Sequence, residues 1–177
     1  MSELTNPRSA WESSYVIVGS SGAALIGVQF VVIALVATRR TLATADAIRA
    51  FGTPTLVHLG AALLASAIMS APWPSLLPAS VALALCGLGG LGYGTIVIHR
   101  ARRQTTYAPV WQDWLWYAIV PCGLYAALAL AGLLMSTTTR LALFVVAGAA
   151  LGLLLIGIRN AWDTVTHIVV RGSRETE

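Results

Sequence analysis

Lysine is absent from this chain of 177 residues, and all eleven basic side chains are arginine. Charge of either sign is scarce: 10% of the residues are charged, against about 25% in a soluble domain. A water-soluble fold must cover its surface with charge, so that class is excluded. Cysteine is limited to Cys86 and Cys122, both inside hydrophobic runs. There they are small apolar residues, which excludes a disulfide framework or a cysteine metal site. No Asp, Glu or Arg lies in the central part of any hydrophobic run. Proton-coupled transporters and pumps keep such a costly residue for their pathway, so this pattern argues against them. A Ser-His-Asp set, a phosphate loop and paired carboxylates are also missing, and the chain is expected not to be an enzyme. Residues 1–14 carry both signs of charge and no basic stretch ahead of a small-residue cleavage site. The expectation is that no signal peptide is removed and that the first span serves as an uncleaved signal.

What the chain has in quantity is apolar length, with 57% of its residues hydrophobic. Five runs stand out, at about 15–37, 55–71, 77–98, 115–135 and 141–158. A helix rises about 1.5 Å per residue and needs roughly 20 residues to cross about 30 Å of hydrocarbon. Strands are excluded by the length of the runs and by their lack of alternating polarity. The reading is an all-α, polytopic integral membrane protein with five transmembrane helices in a bundle, all within one domain, 1–177. No internal repeat is defensible, and five spans cannot form two equal inverted halves, which argues against repeat-built transporters.

Orientation follows from the arginines. Arg39, Arg40 and Arg49 lie between spans one and two, and Arg100, Arg102 and Arg103 between three and four. Arg159, Arg171 and Arg174 follow span five, whereas the other side has only Arg8 and Arg140. Positive residues stay inside, which places those loops and the C-terminus in the cytoplasm and the N-terminus outside. The net charge of +4 therefore reports orientation, and no nucleic-acid partner is expected. The expected location is the cell membrane, as a multi-pass protein of a bacterial inner membrane. Trp111, Trp114, Trp116 and Tyr117 form an aromatic girdle where span four meets the cytoplasmic surface. Residues 41–51 have room for a short amphipathic surface helix containing Asp46 and Arg49.

Glycine is the most suggestive residue. Gly19, Gly22 and Gly27 in span one, Gly89 and Gly92 in span three, and Gly148 and Gly152 in span five give small-residue faces for helix packing. Such faces let backbones approach closely, within a protomer or between protomers. The run from Gly87 to Gly94 also contains a G-x-G-x-x-G pattern and a Gly-Tyr-Gly tripeptide. The first needs a preceding strand to cradle a pyrophosphate, and the second needs an extended filter loop with a pore helix before it. Both lie mid-span here, so packing is the reading that fits.

The polar candidates gather toward the cytoplasmic side. Gln29 lies about 21 Å into span one by helical rise, where an amide needs a partner. His58 is one turn inside span two, His99 ends span three, and His167 lies beyond span five. Two such histidines could ligate a haem iron or a metal, but no attachment motif or ligand spacing accompanies them. No cofactor is expected, with haem the one alternative.

Span five changes character after Ile158 and continues as a helix to about residue 171. Asn160, Asp163, Thr164, His167 and Arg171 share one face by the i, i+3, i+4, i+7 rule. Arg159 and Asp163 are spaced to pair. Counted from Leu141 they lie about 27 and 33 Å down, at the inner edge of the hydrocarbon. The face is either a headgroup anchor with a snorkelling arginine or a polar vestibule completed by Gln29, His58 and His99. Glu12, beside Trp11, is read as an interfacial anchor.

Three functions fit. The first is a homo-oligomeric pore or channel-type protein, partnered by the bilayer and by further copies of itself. The second is a non-catalytic accessory or scaffold subunit of a larger membrane complex. The third is a haem- or quinone-linked redox protein.

Overall fold

The computed structural model describes residues 9–38, 53–103 and 111–174. These are almost wholly helical. A 3-10 turn, Ser9–Trp11, leads into α1, Glu12–Thr38. Helix α2 is Thr53–Ser70 and α3 is Leu76–Arg103. Trp111–Trp114, a π-helical turn Leu115–Ile119 and the α-helix Val120–Leu134 run on as one rod, α4. Helix α5, Thr139–Arg174, is uninterrupted for 36 residues, about 54 Å at helical rise. The five helices are long and apolar enough to cross a membrane. The 41–51 surface helix expected from the sequence lies outside the described residues.

Local chemistry sets the boundaries. Pro54 sits in the first turn of α2, where its missing N–H costs nothing. Pro72 and Pro74 then stop that helix from continuing. The Trp73 indole N–H donates to the Ile68 carbonyl at 2.6 Å, satisfying an acceptor that the helix end leaves open. Between α4 and α5, Thr137 and Thr138 donate their hydroxyls to the Leu134 carbonyl at 3.0 and 3.1 Å. Thr139 does the same for Met135 at 2.9 Å. A run of threonines thus replaces water at the end of an apolar helix.

The π-turn has a cause in Pro121. An α-helix would aim the proline ring at the Tyr117 carbonyl and find no N–H there. The chain widens instead, and the Val120 N–H donates to Leu115, five residues back.

Close approaches define the packing. A Cβ added to Gly19 would meet Ser66, and one on Gly22 would meet the Leu59 carbonyl, so α1 and α2 run antiparallel. Gly87 faces Tyr125 and Ala129, while Gly132 faces Ser80 and Ala84, so α3 and α4 are antiparallel as well. Gly152 meets Leu124 of α4, and Gly157 meets Leu59 of α2. In space the order is α1, α2, α5, α4, α3, with α1 also touching α5 and α2 touching α3. The short connections after Ser70 and Leu134 make successive helices antiparallel. Helix α2 therefore starts at the end where α1, α3 and α5 finish and α4 begins, called here the lower end.

The core is small and apolar. Leu59, Ala62, Ala65, Leu83, Leu128, Leu143, Val146, Ala150 and Leu153 are fully enclosed or nearly so. Large apolar side chains point outward instead: Leu77, Leu85, Leu133 and Leu141 are each at least 63% exposed. Exposed apolar area on that scale is foreign to a protein in water. It is the surface a lipid-solvated protein presents.

Candidate functional site

Polar side chains that are buried collect toward the lower end, on helices that meet there. Gln29 on α1, Thr55 and His58 on α2, and Asn160 on α5 are each no more than 5% exposed. Their depths follow from the packing. Gly22 lies against Leu59, so Gln29, two turns further along α1, reaches the level of Thr55. Gly157 also lies against Leu59, so Asn160 comes to that same level from α5. On α4 the corresponding level is the π-turn, because Arg159 stacks on the Trp116 ring at 4.3 Å.

His58 is one turn deeper than Thr55, and its partner is protein. Its Nδ1 lies 2.9 Å from the Tyr125 hydroxyl, both residues being buried. Gly90 makes this possible, because a Cβ there would fall on the Tyr125 ring. The glycine of one helix thus clears a berth for a tyrosine of the next, which reaches across to a histidine on a third. Such a bond between helices costs little to keep where the alternative is hydrocarbon.

Asn160 has no comparable partner. It is 1% exposed, and neither its Nδ2 nor its Oδ1 is hydrogen-bonded. A bare buried donor or acceptor costs about 1–3 kcal/mol. The Ser66 hydroxyl, nearer the other end, is also enclosed without a partner.

The remaining candidates are spread out. His99 is exposed on the outer face of α3, away from the His58–Tyr125 pair. Asp163 lies 3.8 Å from the Nε of Arg159, in a half-exposed pair four residues apart; that is worth a few tenths of a kcal/mol, about 0.3–0.5. His167 lies on α5, beyond the residues whose side chains are described. The structure therefore brings Gln29, His58 and Asn160 to neighbouring levels of the interior and leaves His99 and Asp163 at the surface. His58 and His99 do not face each other as axial ligands would. Among the described residues, no three His, Cys, Asp or Glu side chains converge on a point.

The glycines divide in the same way. Gly19, Gly22 and Gly152 sit against neighbouring helices, whereas Gly27, Gly89, Gly92 and Gly148 have nothing within 4 Å of an added Cβ. The close contacts within the chain fall instead at Gly87, Gly90, Gly94, Gly132 and Gly157. The reason is angular: α4 lies on the 87–90–94 side of α3, and Gly89 and Gly92 point the other way.

Sequence reasoning missed Tyr125. A hydroxyl mid-span with a glycine run on the facing helix was the available signal. It also missed that the aromatic girdle is engaged, with Arg102 over Trp114 at 5.8 Å as well as Arg159 over Trp116.

Fold and site together define an all-helical protein with five helices able to span a membrane and a buried polar layer toward one end. No family model, curated protein or solved structure matches the chain.

Proposed function

We propose that the protein is a homo-oligomeric pore of the cell membrane, with the path running between copies. The arginine count places the lower end in the cytoplasm, so the N-terminus is outside and α5 extends inward. The observation that carries the reading is the outer stripe of α3. It begins with Leu77, Val81, Leu85 and Leu88, all at least half exposed. It then narrows through Gly89 and Gly92, passes Thr95 and Ile96, and ends in His99 and Arg102, still exposed on the same side. Two glycines within the span, with a histidine and an arginine at its inner mouth, suit a surface that packs against another copy. A second observation is that one chain's interior is filled by Leu, Ala and Tyr side chains, which leaves copies around a common axis as the way to build a path.

In such a ring Gly89 and Gly92 give a wide apolar throat. His99 and Arg102 line the inner mouth, and a ring of arginine favours anions.

The test is the native mass of the purified protein in a membrane mimetic, followed by planar-bilayer recording. A closed ring that carries current, with Arg102→Gln lowering anion preference, supports the pore. A monomer without current overturns it and favours an accessory subunit, whose open glycine faces would dock on foreign helices.

A further inference from the structure

We infer that Asn160 is the anchor of a buried hydration site at the meeting of α2, α4 and α5, taking one or two water molecules. The inference is independent of the pore reading, since it concerns the interior of one chain.

Asn160 shares its side of α5 with Leu153 and Gly157, the residues turned toward the core and α2. At 1% exposure it is sealed from bulk solvent and lipid, and both atoms of its amide lack a partner in the chain. One residue earlier, Arg159 turns toward α4 and covers Trp116. Asn160 therefore points into the angle between α2 and α4. What lies at that level on α4 is the π-turn, and its backbone is incomplete there. The Val120 N–H is taken by Leu115, and Pro121 has none to give. The Trp116 carbonyl thereby loses its α-helical donor, Val120, and its π-helical one, Pro121, at the level of an amide that lacks both donor and acceptor. Helix interruptions next to prolines in membranes are often completed by ordered water.

The chemistry selects the guest. An anion would satisfy Nδ2 and repel Oδ1, and a cation would do the reverse. Among the described residues, the charges beside it on α5, Arg159 and Asp163, lie 3.8 Å apart and offset each other, so that pair offers no net charge with which to recruit an ion. A guest that both donates and accepts suits both amide atoms and can also donate to the Trp116 carbonyl. Water is the smallest such molecule, and buried waters typically take about three hydrogen bonds of this kind.

The chain makes the test simple, because Asn6 and Asn160 are its only asparagines. The full protein is labelled with ¹⁵N-asparagine, placed in lipid bilayers and examined by water-edited solid-state NMR. Loss of one side-chain signal in Asn160→Leu assigns it; if that variant does not fold, Asn6→Gln makes the same assignment by elimination. The expected result is rapid magnetisation transfer from water, and none from lipid acyl chains, to the Asn160 NH₂ group. Transfer from a protein group alone would overturn the inference. Thermal unfolding gives a second reading. Replacing a hydrated amide by leucine should leave the midpoint unchanged or lower it. A rise of about 4 °C or more would mean that the amide had been bare, and the site would be withdrawn.

Discussion

On the side of α3 that meets α4, Gly87, Gly90 and Gly94 each stand where an atom of the neighbouring helix occupies the place of a side chain. On the other side Gly89 and Gly92, only one or two residues away, open onto empty space. Depth in the membrane, local composition and helix propensity are nearly the same for both sets. What separates them is azimuth, since each residue turns the helix by about 100°. The inner glycines set an interhelical distance. The outer ones keep a surface free of bulk. In a lipid-solvated helix, the meaning of a glycine is fixed by what lies beside it.

Substitutions can test that contrast, beginning with the most damaging. Gly87→Leu puts a side chain on the backbone of Ala129 and Tyr125, which cannot yield as a flexible side chain would. It should cost about 3 kcal/mol or more, read as a collapse of the unfolding midpoint in detergent. Tyr125→Phe keeps the ring beside Gly90 but strips the His58 Nδ1 of its hydroxyl. The expected loss is about 1–3 kcal/mol, and His58→Phe with Tyr125→Phe should recover part of it. Trp116→Leu removes the platform under Arg159 at the outer edge of the polar layer. Because that arginine is substantially exposed, about 0.5–1 kcal/mol is expected. Gly89→Leu makes the control. Stability of the single chain should change by no more than about 1 kcal/mol, toward greater stability, from helix propensity alone. The native mass should fall if the outer face joins copies, and an unchanged mass would assign that face to lipid.

Much of this architecture is legible in the residues. Five apolar runs of spanning length mark five helices because hydrocarbon tolerates little else. Gln29, His58 and Asn160 are findable because polar side chains in such runs are rare. The partners are another matter. Whether Asn160 bonds, or whether Tyr125 reaches His58, depends on which helices are neighbours. An apolar run does not encode its neighbours in a periodic pattern, because lipid-facing and core-facing positions are equally hydrophobic. In a soluble helix the polar stripe reveals which side is outside. Here Leu85 faces out and Leu83 faces in, and nothing in leucine tells them apart. For the same reason Gly148, on a face with Leu141, Phe144 and Leu155, looks like Gly152 in sequence and differs from it in space.

One bond at the upper end has a consequence for how the molecule is made. The Tyr15 hydroxyl donates to the Leu143 carbonyl at 3.1 Å, across 128 residues. Trp11 and Phe144 meet edge to face at 4.4 Å beside it. The earliest made of these five helices is therefore fastened by the latest. At roughly 5–20 residues per second, α1 waits about 6–25 s for that clasp, held by α2 through Gly19 and Gly22. Biogenesis thus passes through a half-open nascent bundle whose lock is supplied only when α5 is made. Truncation before Leu143 should leave α1 accessible to crosslinking by the insertion machinery, and release should follow once α5 emerges.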